Sequence, residues 1–165
     1  MKILIISDTH GRTENLEKVL KKVAPIDYLI HLGDVEGQEE QIVSMAGAPV
    51  SMVAGNNDWF CELPKEQIIT LGKYRVFLTH GHRYGVHGGH EELRRQAALK
   101  KADIVMYGHT HYPCVERNPG LTILNPGSLS LPRQHGYRPS FILMEIDRDG
   151  EAHYHIGFLE KNVLR

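Results

Sequence analysis

The chain is short of nearly everything that would place it outside the ordinary globular class. Its 165 residues include only two cysteines, Cys61 and Cys114, and one tryptophan. Two isolated thiols make no disulfide framework and fit a reducing compartment. No apolar run approaches the roughly 20 residues of a membrane-spanning helix. No charged leader precedes the strand-like Ile3-Leu4-Ile5-Ile6, so no membrane partner is expected and the expected compartment is the cytoplasm. Charge of one sign is missing too. With 19 Lys and Arg against 20 Asp and Glu, the net charge is −1. There is no overall basic field to hold a long polyphosphate, which argues against long nucleic acid as a partner. Repeats, low-complexity tracts and linkers are absent, so residues 1–165 are read as a single domain. Hydrophobic residues at 41% and charged residues at 24% exclude a disordered chain. What the chain does have is histidine, 11 of them.

The first third alternates strand and helix signals. Lys2 to Ser7 is a continuous apolar run, as in a strand buried on both faces. Thr13 can cap a helix whose Leu16, Val19, Leu20 and Val23 follow the i, i+3, i+4, i+7 pattern, with Pro25 as its stop. A strand over Asp27 to Leu32, a weaker helix over Gln38 to Ala46 and a strand over Val50 to Ala54 follow. This alternation predicts a largely parallel α/β sheet. The second half is richer in strands. Ile68 to Leu71 and Arg75 to Thr79 form a predicted hairpin, and a helix is expected over His90 to Lys101, with a Glu91–Arg95 pair on its surface. Strands are expected over Asp103 to Tyr107 and Leu121 to Leu124. A last hairpin joins Phe141 to Asp147 with Ala152 to Leu159 through Asp149-Gly150.

Five times an apolar strand runs straight into a small polar cluster: Ser7-Asp8-Thr9-His10, Gly33-Asp34, Gly55-Asn56-Asn57-Asp58, His80-Gly81-His82 and Gly108-His109-Thr110-His111. In α/β sheets the carboxyl ends of strands converge on the ligand crevice, so the five clusters are expected to meet. One such cluster is unremarkable, because strand-to-loop turns favour Asp, Asn and Gly. Folding does not require five in order. The donor set is carboxylate, imidazole and amide without thiolate, which suits Mn²⁺, Fe²⁺, Ni²⁺ or Zn²⁺ and is too nitrogen-rich for a dedicated Mg²⁺ or Ca²⁺ cage. Asp8, His10, Asp34, Asn56, His80, His109 and His111 are candidate ligands, too many for one tetrahedral site and fitting two ions with a shared carboxylate.

These blocks resemble the five signature blocks of calcineurin-like metallophosphoesterases, and Asn125-Pro126-Gly127-Ser128 is similar to a segment of their small prokaryotic phosphodiesterase branch. The resemblance implies an α/β fold, a four-layer α/β/β/α sandwich with two mixed β-sheets. It implies a first metal held by Asp8, His10, Asp34 and His111, and a second held by Asp34 as the bridge, Asn56, His80 and His109. The ions are expected to be manganese first, with nickel, iron or zinc as alternates. The expected activity is phosphodiester hydrolysis of a small phosphate ester by a metal-activated hydroxide, with Asn56 stabilising the equatorial oxygens on phosphorus. Many members carry a histidine after the Asn of the third block and an aspartate three residues beyond the bridging Asp. Here those positions are Asn57 and Gly37.

His82 is then the imidazole left over for proton donation or phosphate contact, with a solvent-exposed loop histidine as the alternative. His31, inside a strand, reads as a packed core residue, and His87 and His90 as a loop and helix start. His153 and His155 alternate on one solvated strand face. Arg12 stands beside the first cluster and suits either a phosphate contact or plain surface. Trp59, Phe60 and Tyr84 follow site clusters and are candidates for a substrate pocket, and the two cysteines read as inert. A non-catalytic scaffold of the same fold, as in a family relative of the retromer complex, and a nuclease of the same superfamily are the alternative functions. The oligomeric state, including a homo-oligomer, is left open.

Overall fold

The computed structural model describes residues 1–160. Two five-stranded mixed sheets stack face to face. The first contains β1 (Lys2–Ile6), β2 (Tyr28–His31), β3 (Val50–Met52), β9 (Ser140–Ile146) and β10 (Ala152–Phe158), in the order β10-β9-β1-β2-β3. The second contains β4 (Glu66–Leu71), β5 (Tyr74–Thr79), β6 (Ile104–Met106), β7 (Pro113–Asn118) and β8 (Leu121–Pro126), in the order β4-β5-β6-β8-β7. The pairs β1–β2, β2–β3, β5–β6 and β6–β8 are parallel; β3 forms a parallel edge of the first sheet, and antiparallel strands close its other edge and both edges of the second. Helices α1 (Glu14–Val23) and α2 (Glu39–Ala46) pack on the first sheet, and α3 (Glu91–Lys100) on the second. The result is the expected α/β/β/α sandwich.

Three apolar clusters correspond to its three interlayer spaces. Ile3, Ile5 and Ile30 meet Val76, Leu78, Ile104 and Met106 between the sheets. Leu4 and Ile6, on the other face of β1, pack under Leu16, Val19, Leu20 and Val23 of α1. Phe77, Val105 and Ile123 pack under Leu93 and Ala97 of α3. Strand β1 is therefore buried on both faces, which is why its sequence is an unbroken apolar run.

Several local expectations differ from the structure. β3 ends at Met52, beyond which Val53 N–H still bonds the His31 carbonyl but Ala54 N–H turns to the Pro64 carbonyl, and α2 starts at Glu39. Thr13 does stand at the N-cap of α1 but its hydroxyl makes no capping bond; it accepts one from Gln41 Nε2 instead. Arg95 pairs with Glu92 rather than Glu91, through two bonds of 2.8 and 2.6 Å. β7 has no counterpart among the predicted strands. No described helix is long and apolar enough to cross a membrane.

His31 is the packed core residue expected of it, wholly buried in β2. Its Nδ1 accepts the Gly33 N–H at 3.2 Å, so the proton sits on Nε2, 3.0 Å from Thr9 Oγ1. Protonating Nδ1 would set two donors against each other. Burial pushes its pKa down from 6.5 to about 4, against the pull of Asp8 and Asp58. Above pH 6.5 the ring is neutral folded and unfolded, and the associated stability is fully present. It is lost as pH falls from 6.5 towards 4, because the unfolded chain takes up a proton that the folded chain excludes, at a total cost of about 3 kcal/mol. Urea unfolding of His31→Gln should therefore show a flatter pH dependence than wild type across this window, and an equally steep one would contradict the assignment.

Candidate metal centre

The five polar clusters leave the carboxyl ends of β1, β2, β3, β5 and β6, and they do meet at one end of the sandwich. Their backbone is unusual. Asp8 (φ 55°), His10 (46°), Asp34 (55°), Glu36 (55°), His109 (66°) and His111 (61°) all lie in the left-handed region. For residues with a Cβ this region costs roughly 1–3 kcal/mol each, and such strain concentrates where a site needs it. Here it turns successive side chains inward over short loops. The loops also touch. A Cβ on Gly55 would fall 2.1 Å from Asp34 Oδ1, and one on Gly108 would fall 2.0 Å from Ser7 Oγ. Only glycine lets these turns approach each other.

Three of the imidazoles have one ring nitrogen occupied from behind. His80 Nδ1 donates to the Leu32 carbonyl at 2.6 Å and His111 Nδ1 to the Leu131 carbonyl at 2.6 Å, while His10 Nδ1 lies 2.7 Å from Glu36 Oε1. In the neutral ring a proton on Nδ1 leaves Nε2 as a bare acceptor. These Nε2 atoms face other acceptors. His10 Nε2 is 3.3 Å from His111 Nε2. His80 Nε2 is 3.1 Å from Asn56 Oδ1 and 3.5 Å from Asp34 Oδ2. Asp8 Oδ1 lies 3.0 Å from His111 Nε2 and 3.9 Å from both His10 and His80, yet it is buried without a hydrogen-bond partner. Asp34 Oδ2 stands between His10 at 3.9 Å and His80 at 3.5 Å. Buried carboxylate oxygens and imidazole nitrogens converging in this way could hold a cation. Asp8, His10 and His111 form one such group, and Asp8, Asp34 and His80 another.

The electrostatics agree with that arrangement. Burial opposes ionisation of Asp8, but the His111 and His80 imidazoles outweigh it and hold the carboxyl below its usual range. His111 shows the reverse: burial lowers it, and Asp8 more than restores it, leaving it raised. His109 sits outside both groups, with its ring 5.1 Å from that of His80 and 4.9 Å from that of His87. Burial first, then His80 and His87, push it down to about 4, so it is neutral near pH 7. The donors are hard-to-borderline oxygen and nitrogen, and the residues present fit divalent first-row ions.

Residues outside the ligand set hold the loops in place. Asp58 Oδ1 accepts the N–H groups of Val35 and Glu36, and its Oδ2 that of Gly55, tying the loop after β3 to the loop after β2. Asn57 is committed to Asp34: its backbone N–H donates to Oδ1 at 2.9 Å and its side-chain amide to Oδ2 at 2.8 Å. Asn125, fully buried, donates to the Gly108 carbonyl and to Thr110 Oγ1. Ser128 donates to the Asp8 carbonyl and accepts the N–H groups of Ser130 and Leu131. The Asn125-to-Ser128 segment is thus a hydrogen-bonded brace beneath two ligand loops. Buried polar Asn125 near the end of an apolar strand, with Ser128 just beyond it, was the signal that could have revealed the role.

His82, in a 3-10 turn spanning His82–Tyr84, is brought to the same cleft. Its ring lies 5.4 Å from that of His80, and its Nδ1 is buried without a hydrogen-bond partner. Burial, reinforced by His80 and Arg83, lowers its pKa. A cavity of about 480 Å³ joins His82, Asn56 and Asn57. Trp59 and Phe60 do line a cavity, of about 900 Å³, on the other side of Asn57 and Asp58. Tyr84 does not line either one; its hydroxyl bonds Glu66 and its ring packs edge-on against Phe77. His90 is held by Glu116 and the Tyr107 hydroxyl, at 2.6 Å each, away from the centre. Arg12 is exposed, and His153 and His155 share the exposed face of β10.

Residues 1–149 match the model for the calcineurin-like phosphoesterase superfamily domain. The chain is 33% identical over 150 residues to the probable metallophosphoesterase YsnB of Bacillus subtilis, across 90% of this chain and 86% of that protein. It is 33% identical over 158 residues to phosphodiesterase YfcE of Escherichia coli K12, across 81% of this chain and 82% of that protein. The crystal structure of wild-type Vps29 from Entamoeba histolytica, complexed with zinc, matches with a TM-score of 0.77 at 25% identity, across 96% of this chain and 99% of that one.

Proposed function

We propose that this chain, which belongs to the calcineurin-like phosphoesterase superfamily, is a single-domain phosphodiesterase acting on small phosphate esters with two divalent metal ions, manganese first and nickel, iron or zinc as alternates. One observation carries the reading: buried imidazole and carboxylate acceptors face each other at 3.0 to 3.9 Å with their other atoms tied back to the protein. Asp8, His10, Asp34 and His111 would hold the first ion, and Asp34, Asn56, His80 and His109 the second. When bound, the ions supply positive charge for the phosphate and a water whose pKa is lowered towards 7.

The chain supplies position and protons. Asp34 is the shared carboxylate, and its Oδ2 already stands between one imidazole of each set. Asn57 is a positioning residue, since both its donors fix the Asp34 carboxylate. Glu36 and the Leu32 and Leu131 carbonyls fix which nitrogen each histidine presents. Asn56, whose Oδ1 lies 3.1 Å from His80 Nε2, would hold the second ion and contact phosphate oxygens. His82 is the proton donor to the departing oxygen, supported by its unpartnered Nδ1 and its place in the cavity beside Asn56.

Hydrolysis of bis(p-nitrophenyl) phosphate should require added Mn²⁺ and stop with chelator. His80→Asn retains a donor for the Leu32 carbonyl but removes Nε2. It should abolish turnover while the circular dichroism spectrum stays that of wild type. Chelator-insensitive turnover would overturn the metal-dependent reading, and no turnover with any divalent metal would instead support a non-catalytic interaction module of this fold.

A further inference from the structure

The loop carrying Asn57, Asp58 and Trp59 is a ridge between two cavities of opposite charge, since all three residues line both. The larger side carries Glu36, Glu39, Glu40 and Glu62, and no lysine or arginine. The smaller side carries Lys65, Arg83 and His82. Its only carboxylate is Asp58, whose oxygens already accept three backbone N–H groups. Lys65 and Arg83 are exposed, and among the described residues neither makes an ion pair, although Lys73, Arg94 and Arg95 all do. Two cations facing one cavity without a counter-charge repel each other, and an anion between them removes that cost. An arginine and a lysine lining one cavity suit phosphate oxygens in particular. Across the ridge, the carboxylates repel the same group. A polyanion entering the cleft therefore has one favourable orientation.

We propose that the substrate bears a second phosphate besides the scissile one, and that Lys65 and Arg83 hold it on the His82 side of the ridge. The inference rests on the phosphoesterase reading above and names the substrate class for that site: a phosphate ester of an alcohol that is itself phosphorylated. The extra charge then contributes to affinity and fixes which ester arm lies beside His82.

Thymidine 3′,5′-bisphosphate and thymidine 5′-monophosphate serve as probes, titrated into the Mn²⁺-loaded protein by calorimetry. Trp59, the one tryptophan of the chain, reports by its fluorescence whether binding occurs at the ridge. The bisphosphate should bind at least about 10-fold more tightly than the monophosphate, a gap typical of one or two charge-assisted contacts. The gap should close to about 2-fold in Lys65→Ala/Arg83→Ala, and Lys65→Glu/Arg83→Glu should prefer the monophosphate. Equal affinities in wild type, or an undiminished gap in both double variants, would overturn the proposal. Bis(p-nitrophenyl) phosphate turnover separates the two failures. Without turnover but with the gap, the phosphoesterase reading fails and the anion site stands; with turnover and no gap, the anion site fails alone.

Discussion

Asp34→Asn should leave the protein unable to retain either ion, whereas His111→Ala should weaken chiefly one. The reason lies in what surrounds the carboxylate. Its Oδ2 is within 3.9 Å of His10 and 3.5 Å of His80, one imidazole of each proposed set, a position it shares with Asp8 Oδ1, which lies 3.9 Å from both. Both of its oxygens accept hydrogen bonds from Asn57. An asparagine at position 34 loses the charge and also places an NH₂ group against one of those donors, so the loop carrying Asn56 is pushed away as well. Removing an outer partner of a metal ligand typically costs about 10–100-fold, and loss of the shared ligand should exceed that, lowering kcat/KM by more than about 10³-fold. Elemental analysis after reconstitution with excess Mn²⁺ reads the stoichiometry directly. Wild-type protein that holds fewer than about two ions per chain, or Asp34→Asn that holds as many as wild type, would defeat the shared-carboxylate arrangement.

The second large effect concerns the departing oxygen. A proton donor there contributes roughly 10²- to 10⁴-fold, most when the leaving alkoxide is strongly basic. Asn57 occupies the position where the family pattern commonly has histidine, one N–H of its amide is bound to Asp34 Oδ2, and an amide cannot transfer a proton to the leaving group. His82 lines the adjoining cavity, and its buried Nδ1 has no hydrogen-bond partner. In wild type kcat/KM should therefore fall as the leaving-group pKa rises. His82→Ala should steepen that slope, costing about 10²-fold or more for alkyl leaving groups while sparing activated aryl esters. A slope that His82→Ala leaves unchanged, with chemistry rate-limiting, would assign the proton to another group.

How much of this was legible in the sequence follows from the range of the interactions involved. The apolar runs of β1, β2, β5 and β6, the 3.6-residue pattern of α1, and the five polar clusters after strands are local signals, each written in a few consecutive residues. They were enough to determine the α/β class and the seven candidate ligands, because parallel strands bring their carboxyl ends to one side whatever their order. β7 escaped because Cys114, Val115 and Glu116 are all half-buried, so no clean alternation marks it, and its pairing comes from β8 across a short turn. The boundary of β3 and the partner of Arg95 were misplaced for a related reason: several residues suit each role locally, and geometry selects one. Tertiary structure alone decided that the C-terminal hairpin lies against β1, that Glu36 fixes His10, that Asp58 and Asn125 brace the ligand loops, and that Asn57 serves Asp34. It also decided that Lys65 and Arg83, 18 positions apart, share one cavity. Each of these joins residues distant in the chain, and their register depends on how two twisted sheets stack. A chain can spell out which groups its strand ends carry. Which atoms of those groups then face each other depends on left-handed turns and hydrogen bonds that form only once both sheets are in place.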